Sequence, residues 1–175
     1  MKQIILFATF LILTLPTFAQ PLWLRYNVIS PQGDKIAFTY KGDIYVVDSK
    51  GGKAQQITTN QAYDYNPIWS NDGKTIAFAS DRHGNFDIFI VSAEGGVAQR
   101  ITTNSAKETP MAFSAGDKSI IYTANIQKNA ENAQFPAGWM TELYEIPVEG
   151  GRPQQITDAT ICSIDFDKDG KSFLY

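Results

Sequence analysis

The sequence predicts an all-β chain, a partial β-propeller of four-stranded antiparallel blades with three blades and the start of a fourth, preceded by a signal-peptide helix. Three observations predict it. The first is self-similarity: Ile36-Ala37-Phe38, Ile76-Ala77-Phe78 and Ile120-Ile121-Tyr122 are each followed by an acid, an aliphatic and an aromatic residue (Asp43-Ile44-Tyr45, Asp87-Ile88-Phe89, Glu142-Leu143-Tyr144). A Gly pair (Gly51-Gly52, Gly95-Gly96, Gly150-Gly151) and a Gln-x-Ile-Thr run ending at Thr58, Thr102 and Thr157 complete each unit. A period of about 40 to 45 residues is the signature of supersecondary units that bury their faces on copies of themselves. The second observation is composition within the units: short runs rich in β-branched and aromatic residues, punctuated by Gly, Asn, Asp and Pro. The third is the absence of in-out alternation. Ile76-Ala77-Phe78-Ala79 and Ile44-Tyr45-Val46-Val47 are apolar at successive positions, which suits a sheet packed on both faces, as blades around an axis are, rather than one with a wet face.

The N-terminal segment differs from everything after it. Lys2 precedes a nearly unbroken apolar run from Ile4 to Leu15, and Thr17-Phe18-Ala19 before Gln20 has the small-x-Ala form of a cleavage site. The run is shorter than the roughly 20 residues of a membrane-spanning helix. Residues 1–19 are therefore expected to be a signal peptide cleaved after Ala19, leaving a periplasmic or secreted chain with no stable membrane insertion. No Cys follows the run to accept a lipid. Residues 20–175 form the expected N-terminal part of the propeller.

Aligned on their turns, the units place blades at 23–58, 63–102 and 108–157, with an incomplete one at 161–175. The second unit gives strands at 65–70, 75–80, 86–92 and 98–102. Its first turn, Ser70 to Lys74, corresponds to Ser30 to Lys35 and Ser114 to Lys118, each with Gly available for positive φ. Phe38, Phe78 and Tyr122 then form an aromatic column expected between blades. Propellers close with about four to eight blades, so the expectation is an N-terminal piece of a longer protein or a truncated copy of one.

The units differ in one place. Five residues separate Phe38 from Ile44, nine separate Phe78 from Ile88 and twenty separate Tyr122 from Leu143. All of that variation falls between the second and third strands, on the same face of the disc as the links between blades, where insertions commonly map to binding. Arg82, His83, Phe135, Trp139 and Met140 are accordingly the candidate peptide- or partner-binding rim. Phe135, Pro136, Trp139 and Met140 are unusual apolar residues for a long loop; docking of another domain and packing on their own blade are both open readings.

Composition excludes several functions. A net charge of -3 and a pI near 5.1 do not suit a phosphate-binding surface, so no nucleic-acid partner is expected. The single Cys162 cannot form an internal disulfide, and its neighbours Ile161, Ile164 and Phe166 suit a buried strand thiol. No Gly-x-Ser-x-Gly elbow, phosphate loop or Cys pair is present, and His83 has no motif-supported nucleophile beside it, so no catalytic residue and no cofactor is expected. Asp165-Phe166-Asp167-Lys168-Asp169-Gly170 matches the first half of a calcium loop. The repeat register gives it a plainer role, since Asp167 aligns with Ser70 and Ser114, and no metal site is expected.

The repeats carry a resemblance. Ile29 to Phe38, Trp69 to Arg82 and the Gly-Gly-x-x-Gln-x-Ile-Thr endings resemble the WD-like propeller repeats of the TolB and tricorn-protease group. Tyr40 to Tyr45, Ala79 to Asp87, and Thr141 to Tyr144 followed by Pro147 to Arg152 are similar to the N-terminal propeller of exported bacterial tricorn-like serine peptidases. That resemblance implies a peptidase whose propellers precede a PDZ-containing catalytic core. It also implies peptide or protein substrates, and as partners the remaining propeller and catalytic domains. Its catalytic Ser and His belong to the core and match no position here. On this reading the segment filters or guides peptides toward an active site outside this chain. A TolB-like propeller assembling envelope proteins through its rim is the alternative, and a propeller ahead of an α/β-hydrolase domain is a third.

Overall fold

The computed structural model describes residues 23–126, 141–157, 159–161, 163–166 and 172–174. Among them the chain forms fourteen strands and no helix. The first sheet holds β1 (Arg25–Ile29), β2 (Lys35–Tyr40), β3 (Asp43–Asp48) and β4 (Gln55–Gln56) in sequence order, all antiparallel. The second holds β5 (Asp64–Trp69), β6 (Thr75–Ser80), β7 (Asp87–Ser92) and β8 (Gln99–Arg100), again in order. The third repeats the pattern with β9 (Glu108–Phe113), β10 (Ser119–Ala124), β11 (Glu142–Pro147) and β12 (Gln154–Thr157). A two-stranded antiparallel sheet, β13 (Asp165–Phe166) with β14 (Phe173–Leu174), follows where the fourth unit is expected. The expected signal peptide, the 135–140 apolar group, Cys162 and the 167–171 turn lie outside the described residues.

Each recurring motif has a local cause. In the first turn of every unit a serine closes the hairpin: Ser30, Ser70 and Ser114 each donate a backbone N–H across the turn, at 2.8, 2.9 and 2.9 Å. Their hydroxyls accept the N–H of Lys35, Thr75 and Ser119 at 3.0, 2.9 and 3.1 Å. Gly33 and Gly73 occupy the left-handed position of this turn, with φ of 75° and 72°. In the third unit Asp117 takes that position at φ 58°. Its carboxylate accepts the backbone N–H groups of Asn71 and Asp72 at 2.7 and 3.0 Å, which ties blade three to the turn of blade two.

The Gln-x-Ile-Thr run is an edge device. In the first two units the outer strands are shorter than the sequence suggests, because the chain leaves regular pairing at the isoleucine, whereas in the third β12 runs on through Ile156 to Thr157. Ile57 and Ile101 donate their N–H groups to the carbonyls of Ile44 and Ile88 at 2.8 Å each. The threonine hydroxyl then stands in for the missing backbone acceptor. Thr58 Oγ1 accepts from Ile44 N at 2.9 Å and Thr102 Oγ1 from Ile88 N at 2.8 Å. The isoleucines, freed to turn inward, are buried between blades.

Alternate residues of one strand face alternate neighbours. From the middle blade, Ile76, Phe78, Phe89 and Val91 pack with Ala37, Ile44 and Val46 of the first. Ala77 and Ile88 turn the other way, onto Ile120, Tyr122, Tyr144 and Ile146 of the third. A sheet covered on both sides needs apolar residues at successive positions, and Ile76 through Ser80 are all fully buried. Leu143 and Ile121 continue the series toward Ile161 of the fourth unit. The aromatic column is seated accordingly: Phe78 and Tyr122 each face the preceding blade. Phe38 lies outside that inter-blade cluster and stacks on Tyr45 of its own sheet at 5.8 Å, on the face turned away from blade two. The inner strands also touch, with β5 packed on both β1 and β9. Trp69 Nε1 donates to the Val28 carbonyl at 3.2 Å and Asn66 Nδ2 to the Pro110 carbonyl at 2.8 Å.

Truncating Phe78 to Ala, at a site with no exposed surface, is expected to destabilise the fold by about 3–5 kcal/mol. Val97→Ala, at a side chain 97% exposed, is expected to stay within about 0.5 kcal/mol of the parent. Urea titration of both variants checks the pair.

Candidate functional site

Two of the connections that vary in length, at 41–42 and 81–86, lie together with the links between blades. The shortest is the Lys41-Gly42 turn between β2 and β3, with φ of 52° and 89°, the positive values a two-residue hairpin requires. Its Gly42 carbonyl accepts the N–H of Asp64 at 2.7 Å, where the next blade begins. The longer 81–86 connection repeats the contact, with Phe86 O accepting from Glu108 N at 2.8 Å, and Thr141 O accepts from Ile161 N at 2.9 Å. Two side chains lock links to loops. Asp81 Oδ1 accepts from Tyr63 N at 2.7 Å, and Asn85 Nδ2 donates to the carbonyls of Asn104 and Ala106 at 2.7 and 2.9 Å. Each blade thus hands its chain to the next beneath its own loop.

Of the rim residues singled out in the sequence, Arg82 and His83 are described. Arg82 reaches back to Asp64, Nη2 to Oδ2 at 2.7 Å, with its side chain 14% exposed and the carboxylate fully buried. Its guanidinium lies 5.4 and 4.9 Å from the ring centres of Phe78 and Phe89. The contact anchors the blade-two loop over the first junction. His83 is exposed and its ring stacks parallel to Phe89 at 6.0 Å. Phe135, Trp139 and Met140 lie outside the described residues.

Sequence reasoning missed a set of buried acids. Asp64 and Glu108 stand twelve residues ahead of Ile76 and Ile120, so repeat alignment alone could have paired them. The fold gives them the same seat, at the start of the inner strand, and both are fully buried. Their surroundings differ. Asp64 has Arg82, four residues beyond Phe78; the residue four beyond Tyr122 is Ile126. Neither oxygen of Glu108 has an aligned hydrogen-bond partner among the described residues, and the Tyr122 hydroxyl beside it has none either. Asp87 is close enough for its charge to act on Glu108 and forms an ion pair with Arg100 at 2.7 Å. Burial pushes the Glu108 carboxyl up to about 7, with the Asp87 charge adding to the rise and Thr102 and Arg100 opposing it. Burial likewise raises Asp87 against the pull of Arg100, and raises Asp43 and the Tyr122 phenol. Among the described residues no group of three or more His, Cys, Asp or Glu side chains is placed to hold a metal ion.

Two consequences are testable. Arg82→Ala strands a buried carboxylate and is expected to cost about 3–5 kcal/mol, with Arg82→Ala/Asp64→Asn recovering part of the loss in chemical denaturation. For Glu108 the folded carboxyl binds its proton more tightly than the unfolded one, so its stabilising contribution is complete below the ordinary carboxylate range. That contribution is lost as pH rises from about 4.5 through about 7, and amounts to on the order of 3 kcal/mol. Melting temperatures of the parent should therefore fall relative to Glu108→Gln across that window; parallel profiles would contradict the assignment.

Comparison with known proteins is consistent with this architecture. No curated sequence matches the chain. Among solved structures, a candidate TolB from Agrobacterium tumefaciens superposes with a TM-score of 0.71 at 20% identity, covering 87% of this chain and 53% of that one. TolB from Acinetobacter baumannii gives 0.66 at 22% identity, with 86% and 37% covered. Tricorn protease gives 0.67 at 24% identity, with 86% of this chain and 15% of the protease covered. The chain thus spans about half of the first structure and a small part of the protease. The family model for the tricorn protease N-terminal β-propeller domain matches residues 21–175, and the chain belongs to that family.

Proposed function

We propose that this chain is the N-terminal propeller segment of an exported tricorn-like serine peptidase, which filters or guides peptide substrates toward a catalytic core outside the chain. The observation that carries the reading is the family match over 21–175. The rim gives it a physical basis: connections of unequal length stand together over rigid blade junctions, an arrangement in which loops are free to vary while the scaffold holds them in place. In this reading residues 1–19 are a signal peptide, residues 20–175 are the first part of the propeller, and the mature protein is periplasmic or secreted. Its partners are peptide substrates together with the remaining propeller and catalytic domains. His83, Phe135, Trp139 and Met140 present the variable surface, and Arg82 braces it. The likeness in fold to two TolB structures favours a second reading, a rim that assembles envelope proteins with no peptidase involved.

Export is checked by mass spectrometry of the mature protein, which should begin at Gln20; an intact Met1 start would contradict it. Guidance is checked by steady-state kinetics of the full-length protein carrying His83→Ala and Trp139→Ala. The expected result is a several-fold loss of kcat/KM for long unstructured peptides with short fluorogenic substrates unaffected. Equal loss on both substrate lengths would remove the guiding role, and the lack of any peptide cleavage by the parent would favour the TolB-like reading.

A further inference from the structure

A chain of aromatic rings lies where the inner strands meet the loop-bearing rim. Tyr26 and Tyr65 are 5.2 Å apart, Tyr63 and Tyr65 5.9 Å, and Tyr65 and Phe86 4.9 Å, at interplanar angles of 59°, 34° and 80°. These residues come from the first and second blades and from the link between them, so the cluster sits across a junction. Tyr65 is buried and held by its hydroxyl against Thr109 of the third blade at 3.2 Å, whereas Tyr26 and Tyr63 remain 44% and 38% exposed. Tyr26 holds a φ of 52°, a conformation that side chains other than glycine seldom adopt and that persists where packing fixes it. Here it accompanies a bulge in β1 and the contact of its ring with Tyr65.

A cation completes the cluster. The exposed Lys107 places its ammonium 5.5 Å from the centres of both Tyr65 and Phe86. None of the ion pairs among the described residues uses it.

We infer that Tyr26, Tyr63, Phe86 and Lys107, with the buried Tyr65 as their support, form a docking site for an extended, acidic, proline-containing peptide segment. Exposed aromatic rings such as Tyr26 and Tyr63, backed by the steeply set Tyr65 and Phe86, are the kind of surface on which proline-rich segments dock, and a polyproline II segment is already ordered and carries carbonyls with no internal partner. The Tyr26 and Tyr63 hydroxyls make no hydrogen bond among the described residues and are free to donate to such carbonyls. Lys107 selects for a carboxylate beside the proline, because an acidic side chain meets an unpaired ammonium there. This inference rests on the peptide-guiding reading and narrows it to a peptide class.

Isothermal titration of the full chain with a Pro-Glu repeat peptide, a Gly-Glu repeat, a Pro-Lys repeat and a random-sequence peptide mixture tests it. The Pro-Glu peptide should bind at least about tenfold more tightly than the Gly-Glu and Pro-Lys peptides. Tyr63→Ala should weaken it by about tenfold, and Lys107→Glu should reverse the preference between Pro-Glu and Pro-Lys. Melting curves of both variants should match the parent, since both side chains are exposed. Equal affinity for Pro-Glu and Gly-Glu, or Pro-Glu binding unaltered by Tyr63→Ala, would overturn the inference. If the random mixture still binds in either case the guiding reading stands, and if no peptide binds both fall.

Discussion

A sheet with apolar residues on both faces cannot rest against a single layer, and that constraint organises this molecule. Ile76, Phe78, Phe89 and Val91 would be bare if the second blade were packed on one side alone, as would Ala77 and Ile88 on the other. Covering both faces means lining similar sheets up side by side, and the inner strands are drawn together as a result, β5 between β1 and β9. The apolar burial is non-directional. Orientation comes instead from polar contacts that cross the junctions, such as Trp69 to Val28, Asn66 to Pro110 and Asp117 to the turn of the neighbouring blade.

The same stacking creates the chemistry of the rim. Where one blade passes its chain to the next, the residue whose N–H bonds the carbonyl of the preceding connection is drawn beneath it, and three side chains meet that demand differently. Asp64 is neutralised by Arg82. Glu108 has no cation in the corresponding place and binds its proton up to about neutrality. Ile161 avoids the issue by being apolar, buried with Leu143 and Ile121. An isolated charge in such a place is costly, so either a partner or a proton accompanies it. The second junction consequently holds a carboxyl that changes charge near neutrality, although its apolar packing resembles the first.

The blades were legible in the sequence because their determinants are local and repeated. Turn serines, glycine pairs and the Gln-x-Ile-Thr edge recur in register, and runs such as Ile76 to Ala79 announce a sheet buried on two sides. The 98–102 strand expected in the second unit is longer than β8 because Ile101 looks like a strand residue, whereas it turns inward and the Thr102 hydroxyl replaces the ladder. The rim was legible as a place but less so as a set of residues. Length variation located the loops, and Arg82 stood out as a charge at a hairpin tip. Its partner Asp64 and the orphan Glu108 acquire their meaning from burial, which composition does not reveal. The Tyr26, Tyr65 and Phe86 cluster joins residues distant in sequence across two blades, and no single unit displays it.

Face-to-face stacking is tested most directly by double-mutant cycles in the full chain that pair Phe78→Ala with Val46→Ala in the first blade and, separately, with Tyr144→Ala in the third. Phe78 and Val46 share one buried cluster, while Tyr144 belongs to the cluster on the opposite side of the middle sheet. The account predicts a coupling of about 0.5–3 kcal/mol for the first pair and additivity within about 0.5 kcal/mol for the second. Additivity in both cycles would mean that the blades do not share a core and would contradict it.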